Sequence, residues 1–133
     1  MKRECTKIKS SLDGRRAIYV DDINANTLRK YICKDPRHRK KFNHICDIIL
    51  EGMLNRELYD KEDINEKCKN VTAMKLFKGQ ENDRIYCKEI RTIKGIHVVI
   101  TCELLERKKT TKLTQREINI IEKVAKYEYK IDE

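Results

Sequence analysis

Between Val71 and Cys102 three β-prone runs follow one another with only a few residues between them. Strands spaced so closely pair with their sequence neighbours, so the stretch predicts an antiparallel meander. The runs are Val71 to Lys78, Arg84 to Arg91 and Ile96 to Cys102. Gly79-Gln80-Glu81-Asn82-Asp83 turns the chain after the first, and Lys94-Gly95 turns it before the third. A meander of this size must bury an apolar face against something, and the rest of the chain offers helices. Asp35-Pro36 is the clearest helix start, with Asp as N-cap and Pro at the first helical position. The helix that follows places Phe42, Ile45, Cys46, Ile49 and Met53 at helical spacing, with Gly52 marking where it weakens or ends. Thr114-Gln115-Arg116-Glu117 is a capping box that opens a last helix through about Tyr127, with Ile118, Ile121, Val124 and Ala125 facing inward.

The remaining segments read less sharply. Arg15 to Val20 is a short β-like run introduced by the Asp13-Gly14 turn, and Cys5 to Lys9 can extend or pair with it. Asn24 or Asn26 caps a short helix through Cys33, with Leu28, Tyr31 and Ile32 on one face. Residues 55–70 are polar, with five acids and two lysines over 57–67, and read as a loop with a turn of helix. The predicted order is β-α-α-β-β-β-α: an α+β domain whose small antiparallel sheet packs against helices. At 133 residues the chain fits one domain spanning 1–133, with 1–14 as an N-terminal extension.

Charge narrows the function classes. Lys and Arg number 31 against 22 Asp and Glu, a net +9, and charged residues reach 40%. The apolar clusters at 45–54 and 96–105 argue for a small core under a charged skin rather than for disorder. No run is apolar enough for a membrane span, and no apolar segment follows the charged start to make a secretory signal. A cytoplasmic location, with no membrane partner, is expected. The six cysteines are scattered without a C-x-x-C pair and read as reduced, mostly buried small hydrophobes. The three histidines fall at no zinc-ligand spacing, so neither metal nor cofactor is expected.

The positive excess is concentrated. Residues 29–44 carry seven Lys or Arg against one Asp, and residues 106–116 carry five against one Glu. The second block, with Arg107, Lys108, Lys109 and Lys112, follows directly after the most apolar strand and brings cations to the rim of a sheet. Lys75, Lys78, Arg84 and Lys88, on the two preceding strands, add to it. A patch of this kind attracts phosphate backbones with salt-sensitive affinity. The alternative is a solvated face that keeps the protein soluble.

Val71–Lys112 resembles the RelE/HigB branch of the RelE/ParE toxin superfamily of bacterial type II toxin–antitoxin modules. The residues that carry the likeness are Met74-Lys75-Leu76, Asn82-Asp83-Arg84-Ile85-Tyr86 and Ile96-His97-Val98-Val99-Ile100, followed by Arg107-Lys108-Lys109-Thr110-Thr111-Lys112-Leu113-Thr114 and a closing helix. That last run is similar to the Lys-Lys-Thr-Gln-Lys stretch of HigB-type members. The resemblance covers about the last 60 residues, and the N-terminal helices by topology alone.

It implies a compact, microbial-ribonuclease-like fold and a metal-independent endoribonuclease that cuts mRNA on the translating ribosome. It also implies a cognate antitoxin partner, either acidic or bearing a helix-turn-helix. Such cleavage needs a proton acceptor for the 2′-hydroxyl, cations around the phosphorane and a donor to the leaving oxygen. On this reading Arg84 is the phosphate clamp, with a cross-strand bridge to Glu103 or Asp83 as its structural alternative. Lys108 and Lys109 neutralise developing charge, and crowding lets one lysine act as acid or base. His97 is a general acid–base candidate. Lys75, Lys78, Lys88, Arg107 and Lys112 track RNA phosphates, and Tyr86 and Tyr127 stack on a base or pack in the core. No Glu-plus-His pair is recognisable from spacing. Two rivals share the scaffold or its charge: a ParE-like inhibitor of DNA gyrase, and a non-catalytic RNA- or ribosome-binding module.

Overall fold

Two local signals set the helical layer. Asp35 caps the second helix by accepting a hydrogen bond from the His38 N–H at 2.8 Å, with Pro36 at the first position. Thr114 caps the last helix by accepting from the Glu117 N–H at 3.2 Å. The computed structural model describes residues 2–78, 80–106 and 113–131. In chain order the elements are β1 (Cys5–Ser10), β2 (Arg16–Asp21), α1 (Ala25–Ile32), α2 (Pro36–Leu50), β3 (Tyr59–Lys61), a 3₁₀ turn at Glu66–Cys68, β4 (Val71–Leu76), β5 (Asp83–Arg91), β6 (His97–Leu105) and α3 (Gln115–Lys126).

The fold is α+β, with three helices on one six-stranded sheet of order β1-β2-β6-β5-β4-β3. The predicted meander is present: β4 pairs antiparallel with β5, and β5 with β6. The sheet is nevertheless mixed rather than wholly antiparallel, because β2 runs parallel to β6, with Arg16 beside His97 and Ile18 beside Val99. A parallel partner needs a long crossover, and the segment from α1 to β5 supplies it. The N-terminal extension forms β1, which pairs with β2 through the tight turn at Gly14, whose φ is +72°.

Residues 55–70, expected as a loop with a turn of helix, hold that turn and also the three-residue edge strand β3, paired with β4. Three residues are too few to carry a readable alternation. Asn24 sits at the N-cap of α1, but its side chain caps nothing; it donates instead to the Cys102 carbonyl and to Glu103, both at 2.7 Å. Helix α2 ends at Leu50, with Gly52 at φ +70° behind it, so Met53 lies outside the helix and is exposed.

Strand alternation divides the core in two. Ile18, Met74, Leu76, Ile85, Cys87 and Val99 face α1 and α2. Ala17, Ala73, Tyr86, Val98 and Ile100 face α3 with Ile121 and Val124. Cys46, Cys68, Cys87 and Cys102 are buried thiols, Cys33 is exposed, and none of the six forms a disulfide. Among the described residues no helix is long and apolar enough to cross a membrane.

Candidate active site

Two polar residues near the β5–β6 turn, Glu89 before it and His97 after it, decide where polar chemistry sits. On β5, Ile85, Cys87 and Glu89 share the face toward α2; on β6, His97 and Val99 share it. The register sets Glu89 opposite Val99, which makes Glu89 and His97 diagonal neighbours. His97 Nε2 lies 3.4 Å from Glu89 Oε2. Tyr59 on β3 donates its hydroxyl to Glu89 Oε1 at 2.5 Å and accepts from Thr72 on β4 at 2.8 Å. Arg16 on β2 is the register partner of His97. Five adjacent strands, β2-β6-β5-β4-β3, thus each deliver a polar side chain to one end of one face.

That end is roofed by the loop after α2. The resulting cleft of about 370 Å³ is lined by Arg16, Tyr59, Asp60, Lys61, Thr72, Glu89 and His97 from the sheet, with Ile49 and the segment from Gly52 to Arg56 above them. Gly52 has a specific job here. A Cβ at this position would stand 3.0 Å from an Arg16 terminal nitrogen, so the bare backbone lets the guanidinium lie against the loop.

The electrostatics favour an ionised acid. Burial alone would raise the Glu89 carboxyl, but hydrogen bonds from His97 and Tyr59, and the charges of His97 and Lys61, outweigh it and hold it below the ordinary carboxylate range. Burial, the charge of Glu89 and the bond to it push the Tyr59 phenol well above its normal value, so it stays a donor. Among the described residues Arg16, Arg56 and Lys61 pair with no carboxylate. The cleft therefore combines a half-buried acid–imidazole pair with three cations that pair with no described carboxylate.

Of the described residues singled out from sequence as site candidates, only His97 lines this cleft. Arg84 lies on the opposite face with Tyr86. Its guanidinium is 3.4 Å from Glu62, not paired with Glu103 or Asp83 as expected of a structural role, and its Nε is buried without a hydrogen-bond partner. Lys75, the β4 neighbour of Arg84, donates to the Arg56 carbonyl at 3.2 Å; burial and the adjacent guanidinium lower its pKa. Lys88 donates to the Ala125 and Tyr127 carbonyls at the end of α3, and burial lowers it too. That makes it a helix stopper rather than part of a phosphate track. Lys78 is exposed beyond β4.

Tyr86 is buried and donates to Glu117 at 3.1 Å. Tyr127, also buried, donates to Glu103 at 2.5 Å. Arg107, Lys108, Lys109 and Lys112 fall outside the described residues; β6 ends at Leu105, beside Arg84.

Sequence reading missed Glu89, Tyr59 and Arg16. A signal for the first was present: two polar residues interrupt apolar faces at the ends of β5 and β6 nearest their shared turn, and a turn of that length sets them side by side. One further polar group, His38 with Glu81 and Asp83, gathers ligand-type atoms within 4.8 Å. His38 Nδ1 there is bound to Asp35 at 2.8 Å and Asp83 to Tyr31 at 2.6 Å. Comparison with protein-family models, curated proteins and solved structures finds no match for the chain.

Proposed function

We propose that this chain is a metal-independent endoribonuclease acting on mRNA at the translating ribosome, a RelE/HigB-like toxin held in check by an acidic or helix-turn-helix-bearing antitoxin, with the Glu89–His97 cleft as its active site. The observation that carries the reading is the acid–imidazole pair set beside unpaired cations on the open end of a sheet. The order β-α-α-β-β-β-α, found from β2 to α3 once the short β3 is set aside, supports the family resemblance. The net charge of +9 suits a polyanionic substrate.

The chemistry is intramolecular. Glu89 holds His97 through Nε2–H, which leaves Nδ1 to take the proton of a ribose 2′-hydroxyl. The 2′-oxygen attacks the adjacent phosphorus, the bond to the 5′-oxygen breaks, and the products are a 2′,3′-cyclic phosphate and a 5′-hydroxyl. The Arg16 guanidinium, planar and permanently charged, grips two phosphate oxygens as negative charge grows on them. This is the clamp first assigned to Arg84. Lys61 supplies the proton to the departing oxygen.

The test pairs translation with RNA. Expression of the wild-type chain is expected to arrest growth and protein synthesis, and 5′-end mapping is expected to show mRNA cut within translated regions. Glu89→Gln and His97→Ala should abolish both effects. Arrest of supercoiling with intact mRNA would move the chain to the gyrase-inhibitor class. Salt-sensitive RNA binding with no cleavage on ribosomes would make it a binding module.

A further inference from the structure

The loop over the cleft carries a feature that phosphate chemistry leaves unused. Met53 and Leu54 are adjacent, 60% and 81% exposed, and both line the cleft directly beside Arg56. Large apolar side chains held in water at a cationic site mark a contact surface for something partly apolar and partly anionic. Nucleotides have that character: a charged phosphate and a flat base. Arg16, Arg56 and Lys61 meet the phosphate, and Met53 and Leu54, with Ile49 behind them, present an exposed apolar surface among the lining residues.

We infer that Met53 and Leu54 form a base-contacting subsite, which takes the face of an unstacked nucleobase next to the bound phosphate and so restricts the cleft to single-stranded RNA. The inference rests on the ribonuclease reading for its substrate class and extends it to substrate form. In duplex RNA the base faces are hidden in the stack and the helix offers phosphates and 2′-hydroxyls. A duplex can therefore satisfy the cations, but it cannot cover the two apolar side chains. A single strand satisfies both, and apolar contact with a base face is tolerant of sequence. The loop is also well placed to hold this geometry. The Asn55 carbonyl accepts from the Leu58 and Tyr59 N–H groups at 3.2 and 2.9 Å. The loop is thereby tied to the strand that carries Tyr59.

The experiment measures binding apart from cleavage. The full chain is titrated against a short labelled single-stranded RNA and a labelled RNA duplex, both with non-cleavable 2′-O-methyl sugars, by fluorescence anisotropy at several salt concentrations. Wild type is expected to prefer the single strand. Met53→Ser combined with Leu54→Ser should weaken the single strand roughly tenfold or more, with duplex affinity and both salt slopes unchanged. Arg16→Gln should instead lower affinity for both RNAs and flatten the salt slope. Equal loss for both RNAs in the serine variant, an unchanged affinity, or tighter binding of the duplex by wild type would each overturn the subsite. Failure of the ribonuclease reading looks different: cleavable single-stranded RNA bound with the expected preference yet left intact on ribosomes.

Discussion

The two faces of the sheet treat positive charge in opposite ways. Toward α3, each cation on the central strands is committed. Arg84 is paired with Glu62, Lys88 donates to the last carbonyls of α3, and Lys75 reaches a backbone carbonyl. Toward the end of α2, Arg16, Arg56 and Lys61 line a cleft with the half-buried Glu89 and pair with none of the described carboxylates. Charge engaged within the protein holds a fold in register, whereas charge kept open beside a cleft is available to a ligand. Strand position alone does not separate these roles. Arg84 and Arg16 are both intermediate in exposure, on strands of one sheet with β6 between them, and their partners set their roles apart.

Substitutions can break or sharpen this contrast. The largest effect is expected at the acid–imidazole pair. His97→Ala or Glu89→Gln should cut RNA cleavage by about 10²–10⁴-fold in protein shown by circular dichroism to be folded. Retained activity in both would remove the cleft as the site. Arg16→Ala should follow, with a loss of roughly 10²-fold, whereas Arg84→Ala should leave the turnover of each folded molecule near wild type. The reverse ranking would restore the opposite face.

Lys88→Met should cost about 1–3 kcal/mol in urea unfolding and nothing in specific activity, because it strips charged donors from the end of α3. Gly52→Ala should cost ~1–2 kcal/mol for its left-handed backbone, with a modest activity loss as Arg16 is pushed aside.

The smallest effect concerns pH. Because the folded Glu89 carboxyl titrates below its unfolded value, it adds stability that is present above the unfolded value and disappears as pH falls through the folded one. The melting-temperature gap between wild type and Glu89→Gln should therefore close on acidification. A gap that is constant in acid would contradict the account of that pair.

Local chemistry was the legible part of this chain. Asp35-Pro36, Thr114 with Glu117, and the glycines at 14 and 95 mark boundaries because capping and turn geometry act within a few residues. Non-local pairing was not. Nothing in residues 16–21 announces a parallel partner some eighty positions away, and β3 owes its existence to β4 rather than to its own three residues. The site suffered from the same blindness. His97 was visible because a histidine stands out in an apolar strand. Glu89 was hidden among the charged residues of β5, and Tyr59 and Arg16 acquire meaning only when β3 and β2 take their places. Lysine content did not separate the roles of single lysines: Lys88 serves the end of a helix.

The parallel seam between β2 and β6 has a consequence for the order of assembly. Arg16 is made early and His97 late, yet they become neighbours only when the two strands zip together. The Arg16–His97 side of the cleft is therefore assembled by long-range pairing, which must meet the entropy of closing a long loop before any contact repays it. No local hairpin can build it alone.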